Sequence, residues 1–169
     1  MEITLDQLLE SRDNRSAMQK DLMSKNPEQT LVCFTVVMPG QVKRNRLSAV
    51  IAEAGMEALR ERFGGDIFQC IERDLETGFE AYLLLSVPKI EAKQTLCEIE
   101  DRHPLGRLFD MDVIDATGVP ISRSDAQRPA RKCLMCDNEA RVCMRNNTHT
   151  QSELQECIHQ MVEQYVRRV

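Results

Sequence analysis

The chain has no tryptophan, and its seven aromatic side chains are five Phe and two Tyr. A core for 169 residues must therefore be packed from Leu, Ile, Val, Met and Cys. So few aromatics also leave little to stack on bases, as an RNA-binding module of similar secondary structure would require. Basic charge is in deficit: 22 Lys and Arg face 27 Asp and Glu, a net charge of −5. A general nucleic-acid binder needs a basic surface, so that class is excluded. No stretch approaches the ~20 apolar residues that a membrane-spanning helix needs. The opening Met1-Glu2-Ile3-Thr4-Leu5-Asp6 lacks the basic and apolar blocks of a signal peptide. No Gly-x4-Gly-Lys-Ser/Thr loop is present, which removes P-loop chemistry. With only His103, His149 and His159, a Ser-His-Asp triad has little to build on. Cysteine, by contrast, is plentiful. Seven of them, an odd number without a secretory signal, point to a reducing cytoplasm with thiols free or metal-bound.

The length suits one domain over 1–169. Thr4 and Gln7 form a capping-box pattern ahead of Leu5, Leu8 and Leu9, which predicts a helix from about residue 5 into the twenties. The charged cluster Ser11-Arg12-Asp13-Asn14-Arg15 reads either as a solvated helix face or as arginines aimed at phosphate. Leu31 to Met38 is a continuous apolar run that suits a buried strand, closed by Pro39-Gly40. Apolar residues at Leu47, Val50, Ile51, Ala54 and Ala58 predict a helix over 43–62, stopped by Gly64-Gly65. Residues 66–73 and 79–87 read as a hairpin turning at Glu76-Thr77-Gly78, and Pro88 opens a helix to about Arg102. A strand follows to about Asp115, and residues 119–123 are placed to pair back on it. The order over 31–115 is β-α-β-β-α-β. The fold class expected is therefore α+β, with a ferredoxin-like core of antiparallel sheet and helices on one face. That core spans 31–123, with an N-terminal helix before it, a Cys/His-rich basic loop at 124–150 and a C-terminal helix at 151–169. Thr150 and Glu153 cap the last helix, whose stripe of Leu154, Ile158, Met161, Val162 and Tyr165 reads as core packing.

The run His103-Pro104-Leu105-Gly106-Arg107-Leu108-Phe109-Asp110-Met111-Asp112-Val113 carries the first chemical signal. In a strand, residues two apart face the same way, so Asp110 and Asp112 project together while Phe109, Met111 and Val113 line the apolar side. Adjacent carboxylates repel unless a cation lies between them or one is protonated. Mg²⁺ suits such a pair, because it takes oxygen ligands and keeps positions open for phosphate. Arg107 and His103 supply groups that can hold an anion. The plainer reading is an edge strand that carries charge for solubility.

The second signal is Cys133-x2-Cys136-x6-Cys143-x5-His149, four soft ligands within 17 residues. This is the ligand set of a closed structural zinc site. The alternative is that the thiols are small buried apolar groups, the reading adopted for Cys33, Cys70 and Cys97. The surrounding segment is basic: residues 121–150 hold Arg123, Arg128, Arg131, Lys132, Arg141 and Arg145 against Asp125, Asp137 and Glu139. Lys43, Arg44 and Arg46 form a second basic cluster. A local likeness of Arg62-Phe63-Gly64-Gly65-Asp66-Ile67-Phe68 to the signature of the diguanylate cyclases is set aside. It follows an amphipathic helix, where the glycines serve as a helix stop, and no acidic strand motif lies upstream.

Taken together, the blocks His103 to Val113, Arg131 to Cys136 with Cys143, Arg145 and His149, Phe34 to Gly40 with Lys43, and Ser11 to Arg15 resemble a known family. It is the apo-citrate lyase phosphoribosyl-dephospho-CoA transferases, also called citrate lyase holo-acyl-carrier-protein synthases. The blocks span nearly the whole chain in the right order. The resemblance implies transfer of the phosphoribosyl-dephospho-CoA group from 2′-(5″-triphosphoribosyl)-3′-dephospho-CoA to a serine of the apo-acyl carrier protein subunit of citrate lyase, with release of diphosphate. On that expectation Asp110 and Asp112 are catalytic and hold Mg²⁺, and either can accept the serine proton. Arg107 and Lys43 hold the triphosphate, with Arg12 and Arg15 behind them and His103 either binding phosphate or packing the turn. The basic surface of 123–145 then meets the acidic carrier. Two other readings compete: a non-catalytic zinc-containing adaptor for an acidic partner, and a nucleotidyltransferase acting on another carrier such as that of malonate decarboxylase. Nucleic acid and membrane are not expected as partners.

Overall fold

A computed structural model describes residues 1–169. The chain is mixed α/β, with five helices and one four-stranded antiparallel sheet. The first helix, α1 (Leu5–Lys25), begins at the Thr4/Gln7 capping box, with both reciprocal bonds made. Strand β1 (Thr30–Val36) follows, then α2 (Arg46–Phe63), which starts at Arg46 rather than at the expected 43 because Asn45 caps it through a reciprocal pair with Ser48. The hairpin of β2 (Ile67–Leu75) and β3 (Gly78–Leu85) turns tightly at Gly78, where φ is 122° and a side chain would be strained. Helix α3 (Lys89–Arg102), strand β4 (Phe109–Ile114), a short α4 (Ala140–Asn146) and α5 (Gln151–Val166) complete the chain.

The strand order is β2-β3-β1-β4. One sheet face carries Val32, Phe34, Ala81, Leu83, Phe109, Met111 and Val113, and packs against α2, α3 and α5 as the main core. The other face carries Leu31, Cys33, Tyr82, Leu84 and Ile114 beneath Leu22 of α1. Helix α1 buries little else: Leu5 and Leu9, read as part of its apolar pattern, are exposed. Of the cysteines assigned to the core, Cys33 and Cys97 are buried, but Cys70 is exposed because it lies on the outer strand β2. Residues 119–121 return to β4 through Asp115 N–H to Val119 O (2.9 Å) and Ile121 N–H to Val113 O (2.8 Å), a bridge rather than a fifth strand.

Strand β4 lies at the sheet edge, so its outward backbone groups need partners. Helix α3 provides them. Glu100 accepts the Met111 N–H at 3.0 Å, and Lys93 donates to the Met111 carbonyl at 3.1 Å. Gly106 makes this close approach feasible, since a Cβ there would lie 2.3 Å from the Glu100 carbonyl. No helix is long and apolar enough to cross a membrane.

Candidate functional site

Alternation along β4 places Asp110 and Asp112 on the sheet face away from the main core, as their spacing requires. Asp110 stands opposite Thr35 and Asp112 opposite Cys33 on β1. Thr35 donates weakly to Asp110 at 3.4 Å. Asp112 is held by Lys93, whose Nζ is 3.1 Å away and whose side chain is almost wholly enclosed. Asp110 has no such cation. Asp110 is exposed to the cavity, but desolvation by the walls around it, and then the neighbouring Asp112 charge, push its carboxyl above the usual range, with Arg131 and Lys93 opposing.

The pair opens into a cavity of about 1030 Å³. Arg107, Arg123, Arg128, Arg131, Lys132 and Lys93 line it. That volume lies at the upper end for small-molecule sites, which suits an extended ligand. Arg107 reaches the cavity from the turn before β4 and donates to the Cys133 carbonyl, while Arg131 donates to the Arg107 carbonyl. Arg123 is anchored on Glu100 at 2.6 Å and on Asp101 at 2.9 Å, and Arg128 on Glu98 at 2.9 Å.

The far wall is the Cys/His loop. Ligand atoms of Cys133, Cys136, Cys143 and His149 lie within 4.8 Å of one another, a tetrad able to hold a metal ion. Nε2 of His149 is buried without a hydrogen-bond partner. Such an orphan is costly unless something is bound there. Burial works to raise the Cys133 thiol, but the N–H groups of Met135 and Cys136 and the thiols of Cys143 and Cys136 outweigh it, bringing it down to about 7. That favours the thiolate a metal needs.

The remaining expected residues lie elsewhere. His103 accepts the Leu105 N–H at 3.0 Å through Nδ1 and packs its ring between Phe109 and Tyr165 on the main-core side. Burial lowers its pKa. Lys43 donates to the Met38 carbonyl, and burial followed by the nearby Arg12 charge lowers its pKa. Arg15 shares the sheet face of the acidic pair, but it is bound to buried Glu80 at 3.0 Å, which also accepts from Tyr82 at 2.8 Å. Neither Lys43, Arg12 nor Arg15 lines the cavity. The sequence reading missed Lys93 and Glu100. Their one signal is that they interrupt the inward face of α3, seven residues apart, among Ala92, Leu96 and Cys97.

An acidic pair facing a wall of guanidinium groups, beside a Cys/His tetrad, has the charge pattern that binding of a polyanion calls for. Comparison with known proteins is specific. A sequence profile described as apo-citrate lyase phosphoribosyl-dephospho-CoA transferase matches residues 3–165. A Vibrio cholerae serotype O1 (strain M66-2) protein named "Probable apo-citrate lyase phosphoribosyl-dephospho-CoA transferase" is 38% identical over 169 residues, covering 98% of this chain and 94% of its own. An Escherichia coli O7:K1 protein named apo-citrate lyase phosphoribosyl-dephospho-CoA transferase is 37% identical over 155 residues, covering 90% and 84%. The chain belongs to the apo-citrate lyase phosphoribosyl-dephospho-CoA transferase family. It is a transferase, which removes the non-catalytic adaptor reading.

Proposed function

We propose that this transferase moves the phosphoribosyl-dephospho-CoA group from 2′-(5″-triphosphoribosyl)-3′-dephospho-CoA to a serine of the apo-acyl carrier protein subunit of citrate lyase. The serine oxygen attacks the phosphorus nearest the ribose, the bond from that phosphorus to the outer two phosphates breaks, and diphosphate leaves. The serine proton passes to a carboxylate of the acidic pair. The observation that carries this reading is the pair Asp110 and Asp112 at the floor of a cavity walled by Arg107, Arg123, Arg128 and Arg131. Such chemistry is mostly positioning and charge stabilisation. Asp110 and Asp112 would hold Mg²⁺, which neutralises phosphate charge when bound. Lys93 orients Asp112, Thr35 touches Asp110, and Arg107 meets the triphosphate with the donors left free by Cys133. The Cys133, Cys136, Cys143 and His149 tetrad would hold Zn²⁺, the ion its sulfur and imidazole donors favour.

The strand order and the shared face of α2 and α3 support a ferredoxin-like core, with α1 added on the second face. In this reading 1–169 is one domain working in the cytoplasm. The test is direct. The protein is incubated with apo-carrier, the triphosphoribosyl donor and Mg²⁺, and the carrier is weighed by intact mass spectrometry. The expected result is a carrier heavier by one phosphoribosyl-dephospho-CoA group, with no gain from folded Asp112→Asn protein. An unmodified carrier with folded enzyme overturns the reading. A gain on a malonate decarboxylase carrier in place of this one would reassign the acceptor.

A further inference from the structure

We infer that the metal-binding tetrad of Cys133, Cys136, Cys143 and His149 is a positioning device for the anion site, holding Arg107 in the cavity wall through the Cys133 carbonyl. The inference rests on the transferase reading above and goes beyond it, because a metal of this class otherwise concerns stability alone.

The segment 124–150 has little apolar packing, with Leu134 alone lying partly buried against the main core. Its buried residues are Ala126, Cys133 and Cys143, and the latter two are members of the tetrad. Its one helix, α4, has seven residues, well short of the ~12–15 at which an isolated helix becomes even marginal. Yet the loop around Cys133 is closely folded. The Cys133 N–H donates to the Asn138 carbonyl at 2.7 Å, and the Met135 N–H points at the Cys133 sulfur at 3.5 Å. Cys136 and Cys143 bring their sulfurs within 3.4 Å, His149 offers a ring nitrogen to the same tetrad, and its buried Nε2 has no hydrogen-bond partner.

From this knot a chain of contacts runs to the acidic pair. Arg107 donates to the Cys133 carbonyl, and its own carbonyl accepts from Arg131. Arg131 lies 3.7 Å from Glu100, which accepts the N–H of Met111, the residue between Asp110 and Asp112. A guanidinium has five donors in a fixed plane, so one bond to the Cys133 carbonyl orients those that remain. Asp110 and Asp112 sit on β4, which is held by its pairing with β1 and by Lys93 and Glu100 of α3. Loss of the metal should therefore leave the carboxylates in place and release Arg107.

The purified protein is assayed for zinc by elemental mass spectrometry and, after Co²⁺ exchange, for thiolate-to-cobalt absorption. Wild-type protein stripped by chelator and Cys136→Ser protein are then compared with the loaded form. Far-UV circular dichroism, limited proteolysis of 124–150, and binding of inorganic triphosphate and of the donor without carrier are measured. We expect about one zinc per chain. The stripped protein should keep its sheet signal, become cleavable within 124–150, and bind donor and triphosphate about tenfold or more weakly, recovering on zinc addition. Stripping Arg107→Ala protein should cost clearly less affinity than stripping wild type, the remainder belonging to Arg128, Arg131 and Lys132 of the same segment. Absence of bound metal, or stripped protein with unchanged cleavage and affinity, overturns the inference alone. Loaded protein that binds zinc but neither donor nor triphosphate overturns the transferase reading, and the positioning role with it.

Discussion

Asp110 and Asp112 are the same residue type on the same strand face, but their surroundings differ. Asp112 is paired with the enclosed Lys93 at 3.1 Å, whereas Asp110 has Thr35 at 3.4 Å as its hydrogen-bond partner and its neighbour's charge against it, offset from farther away by Arg131 and Lys93. Two substitutions should therefore part company in stability. Asp110→Asn relieves like-charge repulsion and should melt at or above the wild-type temperature, while the transfer rate falls by about a hundredfold or more. Asp112→Asn leaves the enclosed Lys93 ammonium without its countercharge, with only neutral oxygens to accept from it, and should cost about 1–3 kcal/mol. Equal loss in both variants in urea melts would sink this asymmetry. The raised Asp110 pKa adds a pH signature. Its native state holds the proton more tightly than the unfolded chain does, so its contribution to stability is complete below the ordinary carboxylate value. It is lost as pH rises through the raised one. Asp110→Asn should flatten the fall in unfolding free energy across that window. The pair itself was legible, because strand alternation alone fixes its geometry. Lys93 was not, since a lysine inside α3 can be assigned a partner only once α3 is seen to lie along β4.

At the scale of elements, the sequence marks what is local and misses what is joined across the chain. The capping boxes at Thr4 and Thr150 and the hairpin glycine form as read, and so does the α5 stripe except Leu154, which lines the cavity rather than the core. Helix α4 escaped because seven residues carry no helical period worth the name. The closure of the sheet edge escaped for a different reason: it is built by side chains of α3 on backbone groups of β4. Glu100, 5% exposed, binds the Met111 N–H, Arg123 and Arg131 together. Glu100→Ala should cost about 3–5 kcal/mol, because it strands a buried strand N–H and leaves Arg123 without its nearest anion. Glu100→Gln should cost less, since an amide oxygen can still accept from Met111 but cannot neutralise two guanidinium groups. Denaturant titration of the two variants reads the difference, and equal losses would show that the charge contributes nothing.

For the molecule as a whole, a net charge of −5 conceals a division of labour within the basic segment. Counted in sequence, the cations of 121–150 form one patch. In the fold, Arg123 and Arg131 turn inward to Glu100 and Arg128 to Glu98, leaving Lys132, Arg141 and Arg145 exposed. Beside them α4 presents Val142 and Met144, the latter 77% exposed, while Cys143 faces the metal tetrad. On the proposed function, a basic rim around a small apolar patch beside the cavity would suit an acidic carrier whose serine is brought to Asp110 and Asp112. Arg131, which falls in the basic surface of 123–145 read from sequence as meeting the carrier, is a poor probe of this because its guanidinium also supports Arg107. Arg145, which does not line the cavity, is the clean one. Arg141→Glu with Arg145→Glu should raise the KM for carrier by about tenfold at low ionic strength, and the gap should narrow as salt shortens the reach of surface charge to less than the ~10 Å it has at 0.1 M. Arg145→Glu alone should move the carrier KM in the same direction while leaving the donor KM where it is. If carrier KM is indifferent to both substitutions and to salt, the exposed cations of α4 are there for solubility, and the carrier approaches from another side of the cavity.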